Sequence, residues 1–151
     1  MRKTKPVIAL MEDNPADAEL FRFALEQTGR EFEFLVFKNG SDALHYVDNF
    51  ERAGESPRCD LMILDLNVPV VSGFEVLEHM RSTDELRKVP VVVISGSSNH
   101  EDVNRCYAAG ANSYISKATN VDEILAITAG IVHYWFECVQ LPVAAGASLE
   151  R

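Results

Sequence analysis

No stretch of this chain is apolar for the roughly 18 residues needed to cross a bilayer. Its apolar runs are short and end in polar residues, so no membrane anchor is expected. The basic opening, Met1-Arg2-Lys3-Thr4-Lys5-Pro6, precedes an apolar segment that stops at Glu12. That is too short for a secretory leader, and a cytoplasmic location is expected. Cysteine is scarce. Cys59, Cys106 and Cys138 are odd in number and lack metal-ligand spacing, which argues against a disulfide framework or a zinc site and leaves free thiols. Positive charge is short too: 14 Lys and Arg stand against 23 Asp and Glu, a net charge of −9. Phosphate backbones demand clustered cations, so nucleic acid is not expected as a direct partner. Internal repeats and low-complexity segments are absent. What is present, 47% hydrophobic and 25% charged residues over 151 positions, suffices for one domain with a substantial core.

The chain is organised around Leu61-Met62-Ile63-Leu64-Asp65-Leu66-Asn67-Val68-Pro69, with Gly73 beyond. Four apolar residues bounded by turn signals read as a strand buried on both faces, with Asp65 as its last residue. Open α/β sheets bind their ligands at that carboxyl edge, although an Asp there can also simply cap a turn.

Other segments repeat the design. Val7-Ile8-Ala9-Leu10-Met11 ends in Glu12-Asp13, and Pro90-Val91-Val92-Val93-Ile94 ends in Ser95. Glu33 to Lys38 and Ser113-Tyr114-Ile115, reaching Lys117, complete five strands. Asn14-Pro15 opens a first helix that Gly29 closes, and Gly40-Ser41 starts a second. A third follows Gly73, a fourth runs from about Glu101 to Ala109, and the last begins at about residue 120, where Asn120 and Glu123 resemble a capping box, and runs to about Val139. The polar segment from Glu51 to Cys59 reads as a surface loop, and Arg81 to Lys88 as a solvated connection. The domain is placed at 1–139, with 140–151 as a flexible tail.

Strands alternating with helices predict an α/β fold: a doubly wound five-stranded parallel sheet with helices on both faces. Right-handed crossovers favour the order 2-1-3-4-5, with its switch point between the first and third strands. Glu12, Asp13 and Asp65 then share one crevice, with Ser95 and Lys117 beside it.

Converging carboxylates raise one another's pKa, and a hard divalent cation resolves the conflict. Mg²⁺ suits a site with few carboxylates and several waters. Asp65 is the candidate nucleophile, and attack on a phosphoryl group would give an acyl phosphate. The metal and the Lys117 ammonium would neutralise the transferring oxygens, and the Ser95 hydroxyl could bond the new group. Each residue also has a plainer reading: a solvated lysine, turn serines, acids biasing a helix N-terminus.

Taken in order and register, Glu12-Asp13, Asp65-Leu66-Asn67-Val68-Pro69, Gly73, Ser95, Tyr114 and Lys117 resemble the response-regulator receiver domain of two-component signalling, over residues from about 5 to 139. The resemblance implies the flavodoxin-like receiver fold and Asp65 as phosphoacceptor. It implies Mg²⁺ held by Glu12 (partly through water), Asp13, Asp65 and the Asn67 backbone carbonyl. Ser95 and Tyr114 would be the switch pair, and Lys117 the phosphate-binding lysine. Limited self-phosphorylation and self-dephosphorylation are expected rather than an enzyme's turnover. Ala118 departs from the pattern, since the family usually carries Pro after the lysine. The insertion before the central strand, Ser116-Lys117-Ala118-Thr119-Asn120-Val121 and the aromatic end of the last helix resemble small regulators paired with phytochromes. A phytochrome-type sensor histidine kinase is the implied partner.

The last helix carries one stripe, Val121, Ile124, Leu125, Thr128, Ile131, Val132, Trp135 and Val139, expected to cover the sheet. A second stripe, Ile127, Ile131, Tyr134 and Cys138, widens it. Either the stripes pack a thick core, or a homodimer forms on this helix and the adjacent strand with Tyr134, Trp135 and Phe136 as anchors. No output domain is expected after residue 139, so the output would be a protein contact or a phosphate passed on. His45, His79, His100 and His133 show no ligand spacing. Three rival readings share chemistry or fold. A haloacid-dehalogenase-like phosphohydrolase needs a second acid two residues past the nucleophile, where Asn67 stands. An FMN carrier needs a hydroxyl-rich loop where Asn14-Pro15-Ala16 stands. A phosphorylation-independent interaction domain would leave the reacting groups unused.

Overall fold

The computed structural model describes residues 5–49, 58–67 and 71–142. The Glu51–Pro57 part of the polar segment, Val68-Pro69 and most of the C-terminal tail lie outside the described residues. Five strands, β1 (Val7–Met11), β2 (Glu33–Phe37), β3 (Leu61–Leu64), β4 (Val91–Ser95) and β5 (Ser113–Ser116), form one sheet in the order β2-β1-β3-β4-β5. Every pairing is parallel. Among the described residues five helices connect or cover them: α1 (Pro15–Gln27), α2 (Gly40–Asp48), α3 (Gly73–Arg81), α4 (His100–Ala108) and α5 (Val121–His133). The expected fold class and strand order are those observed.

Helix starts are set by short polar side chains. Asn14, Asn39, Asn99 and Asn120 each accept a backbone N–H of the first turn, satisfying donors that have no partner within the helix. At Asn120 the reciprocal half of the expected box differs. The Glu123 carboxylate takes the backbone N–H and hydroxyl of Thr119. The full capping box is at α3, between Ser72 and Glu75.

Strand alternation divides the core in two. Ala9, Met11, Met62, Leu64, Val91 and Val93 pack with α2, α3 and α4 through Val47, Leu77, Met80 and Cys106. Ile8, Leu10, Ile63, Val92 and Ile94 pack with α1 and α5 through Phe21, Leu25, Ile131 and Val132. The stripe on α5 is narrower than expected. Thr128, Ile131 and Val132 are buried, whereas Val121 is 49% exposed.

Three local expectations are corrected. Asp65 follows β3 rather than ending it, because the chain turns where the Asn67 N–H bonds the Asp65 side chain. The segment from Arg81 to Lys88 is not merely solvated: it holds a 3-10 turn (Leu86–Lys88) with Leu86 buried, and Arg81 is half-buried. The end of the last helix loosens into a π-helical turn (Tyr134–Cys138). There Phe136 packs edge-on against Phe32 with ring centroids 5.0 Å apart, so this expected dimer anchor faces its own chain.

Candidate functional site

Register brings the polar strand ends to one edge. Met11 pairs with Leu64, so the next residues, Glu12 and Asp65, lie side by side, and the Asp65 N–H donates to the Met11 carbonyl at 3.1 Å. Ser95 pairs with Ser116, and the Lys117 N–H donates to the Ser95 carbonyl at 2.8 Å. Alternation then sorts the side chains. Glu12 continues the parity of Ile8 and Leu10, Asp65 that of Leu61 and Ile63, and Lys117 that of Ile115, all on the α1/α5 side. Ser95 and Tyr114 carry the opposite parity, together with Val91 and Val93.

Glu12 and Asp65 are each only 5% exposed. The Lys117 ammonium lies 2.9 Å from Asp65 Oδ2, 3.0 Å from Glu12 Oε1 and 3.4 Å from Asp17 Oδ2. Asp65 Oδ1 accepts the Asn67 N–H at 3.0 Å, and Glu12 Oε2 accepts the Asn14 N–H at 3.2 Å. Burial holds the Glu12 carboxyl above its ordinary pKa, with Asp65 adding repulsion against the bonds from Lys117 and Asn14. Burial alone would lower Lys117, but its bonds to Asp65 and Glu12 outweigh that and raise it. The lysine is therefore charged at neutral pH.

Glu12, Asp13 and Asp65 can each present one oxygen within 4.8 Å of the others. Hard oxygen donors at that spacing, two of them buried and one exposed, fit a divalent cation that keeps water ligands. Gly73 fixes the other side of the acceptor. A Cβ there would lie 2.3 Å from the Asp65 carbonyl oxygen, so α3 approaches the Asp65–Leu66 peptide more closely than any side chain would permit.

The Ser95 hydroxyl is fully buried and accepts the Ser97 N–H at 3.2 Å. The Tyr114 hydroxyl donates to the Ser97 carbonyl at 2.7 Å, and Ser97 Oγ donates to Asp102 at 2.7 Å. Ser95 and Tyr114 are thus joined through Ser97 rather than directly. Ala118 follows Lys117 with no cis peptide bond among the described residues. A cleft of about 310 Å³ opens beside it between α1 and the start of α5, lined by Leu20, Phe21, Ala118, Val121 and Ile124 and reaching Glu12, Asp65 and Lys117.

All the expected side chains therefore reach one edge, in two groups. Sequence reading missed Asp17 and Ser97. Asp17 lies in the first turn of α1, where an acid is ordinary, and only the packing of α1 beside the sheet edge brings it to the lysine. Ser97 sat in a run of turn residues with nothing to single it out.

The model of the response regulator receiver domain matches residues 8–129. The response regulator Rcp1 of Synechocystis sp. is 34% identical over 138 residues, spanning 91% of this chain and 94% of the relative. Among solved structures, the phosphorylated cyanobacterial phytochrome response regulator RcpA superposes with a TM-score of 0.86 at 34% identity, covering 93% of this chain and 100% of that one. The Mn(2+)-bound form of Rcp1 gives 0.83 at 33% identity, covering 91% and 99%.

Proposed function

The chain belongs to the response-regulator receiver family, and from that premise we propose that it is a response regulator phosphorylated on Asp65 by a sensor histidine kinase of phytochrome type. Receiver domains are signalling proteins rather than enzymes in the usual sense. The observation that carries the reading is Asp65 itself: a buried carboxylate at a sheet edge, flush with Glu12 and 2.9 Å from a charged lysine. The kinase assignment draws its support from the likeness to Rcp1 and RcpA. A cytoplasmic location fits such a partner, and no described helix is long and apolar enough to cross a membrane.

In the transfer, an Asp65 carboxylate oxygen attacks phosphorus while the bond from phosphorus to the donor imidazole nitrogen breaks. The electron pair leaves with the imidazole, and an acyl phosphate forms. Lys117 gives up its bond to Asp65 Oδ2 and follows the charge onto the phosphoryl oxygens. Glu12, Asp13, Asp65 and the Asn67 carbonyl would hold Mg²⁺, which when bound supplies further neutralisation of those oxygens. The Ser95 hydroxyl, which accepts the Ser97 N–H, turns to donate to a phosphoryl oxygen and leaves that N–H. The segment that Tyr114 grips at Ser97 is thereby released, converting a local charge into a changed surface. The same groups would support slow self-phosphorylation from small acyl phosphates and slow hydrolysis. Asn67 stands where the haloacid-dehalogenase alternative needs its second acid, and its N–H is spent on Asp65.

A homodimer is the second part of the reading. Strand β5 is a sheet edge, and a groove of about 450 Å³ beside it is lined by Ile115, Ile127, Ile131, Tyr134 and Trp135. Tyr134 is 53% exposed, which suits an anchor, and its ring meets Trp135 edge-on at 5.0 Å.

The test is phosphotransfer. A phosphorylated phytochrome histidine kinase is mixed with the chain and Mg²⁺, and label is followed from one protein to the other. Transfer to the wild type but not to Asp65→Asn is expected; label that stays on the kinase, or moves equally to both, overturns the assignment. Size-exclusion with light scattering checks the dimer, which Tyr134→Ala with Trp135→Ala should dissociate.

A further inference from the structure

The end of the last helix holds a second cluster of reactive groups, far along the chain from the acidic edge. Cys138 Sγ lies 3.4 Å from His133 Nε2, and His133 Nδ1 lies 2.8 Å from Glu137 Oε1. All three residues are exposed, and none of them lines the groove beside β5 that Tyr134 and Trp135 border. The geometry depends on the π-helical turn. In an α-helix of 3.6 residues per turn, residues five apart point about 140° away from each other round the axis. Here the Val139 N–H bonds the Tyr134 carbonyl at 3.1 Å, five residues back. That wider turn brings Cys138 over His133, while Glu137 remains one turn from the imidazole.

A group from outside the helix holds the turn. Arg30 Nη1 donates to the Phe136 carbonyl at 3.2 Å and lies 3.5 Å from Glu137 Oε2. Glu137 is thereby steered from both sides, and its bond to His133 draws its carboxyl below the ordinary range. In the tautomer whose Nδ1–H donates to the carboxylate, Nε2 faces the thiol as an acceptor for its proton. A thiol, a base at hydrogen-bonding reach and a group orienting the base thus stand in line, the arrangement used to activate nucleophiles.

We propose that Cys138 is a redox-modification site, its thiol primed by His133 and Glu137 for oxidation by hydroperoxides. The thiol proton passes to His133 Nε2, and the sulfur attacks one peroxide oxygen. An S–O bond forms as the O–O bond breaks, and the other oxygen takes up the proton and leaves as water (or as an alcohol from an organic peroxide). Sulfur is oxidised to sulfenic acid and the peroxide is reduced. His133 touches the reacting atom, and Glu137 is a positioning residue. Cys59 and Cys106 are buried and serve as internal controls.

The experiment treats the full chain with hydrogen peroxide and a 1,3-diketone trap for sulfenic acid, then maps the adduct by peptide mass. One adduct on Cys138 is expected, absent from Cys138→Ser, forming at least about tenfold more slowly in His133→Gln. In Glu137→Gln the rate falls less, and the pH profile of Cys138 alkylation shifts. That readout is not moved by a purely structural role, and circular dichroism confirms that the variants are folded. An adduct forming at equal rates in wild type and His133→Gln overturns the proposal, as does labelling of Cys59 or Cys106 in preference to Cys138.

Discussion

Two half-buried cations stand at opposite edges of the sheet, and they are used in opposite ways. Arg81, at the end of α3, donates to the carbonyls of Gly110, Leu86, Arg87 and Val89 and to Asn112 Oδ1. All are neutral acceptors, and burial lowers its pKa. Lys117, at the carboxyl edge, instead touches three carboxylates. The guanidinium is a tie among loops, with its charge dissolved in backbone dipoles. The ammonium neutralises acids that would otherwise repel, and under the proposed function it is drawn away when a divalent cation or a phosphoryl group arrives. A saturated buried charge is architecture, whereas a charge shared among competing partners is poised to act.

The largest effect that would break this contrast is at the lysine. Lys117→Met should lower the rate of adduct formation from a small acyl phosphate by about a hundredfold. Mg²⁺ should bind more tightly in the same variant, because a competing cation is gone. Mass-detected kinetics and calorimetric titration check the two parts. Arg81→Met should do the reverse: urea unfolding shows a loss of about 2 kcal/mol, since three part-buried carbonyls lose their donor, while phosphorylation per folded molecule is unchanged.

The acids sharpen the contrast through pH. The folded pKa of Glu12 is raised, so the folded state holds that proton more tightly. Its contribution to stability is complete below the ordinary carboxylate pKa and is lost as pH rises through the raised value. Melting temperature without metal should fall over that window, less so with Mg²⁺, and Glu12→Gln should remove the slope. Asp60 gives a second case at the other edge. Burial raises its pKa too, but its Oδ2 accepts the Val7 N–H at 2.8 Å, a bond that an amide oxygen preserves. Asp60→Asn should be at most about 1 kcal/mol more stable at neutral pH, the gain vanishing below the ordinary carboxylate range, as denaturant titrations would show.

The same contrast separates what was legible in the sequence from what was not. Lys117 could be read because strand ends at a parallel sheet's edge converge by rule, and Glu12, Asp65 and Ser95 obeyed the same rule. Arg81 could not be read, since it sits among Ser82, Thr83 and Asp84, and its acceptors come from loops as distant in sequence as Gly110. The helix caps at Asn14 and Asn120 were visible. The π-helical turn was not, because nothing in Tyr134-Trp135-Phe136-Glu137-Cys138 distinguishes it locally from a continuing helix. Ser97 and Asp17 were invisible for the same reason: their roles arise from tertiary position.

The central claim concerns one carboxylate. Wild type and Asp65→Asn are incubated with a small acyl phosphate, with Mg²⁺ or with a chelator, and peptide masses locate any adduct. A single phosphoryl group on Asp65, formed only with the metal and absent from the variant, is the predicted result. An adduct that persists in Asp65→Asn, or forms as fast in chelator, would contradict the account.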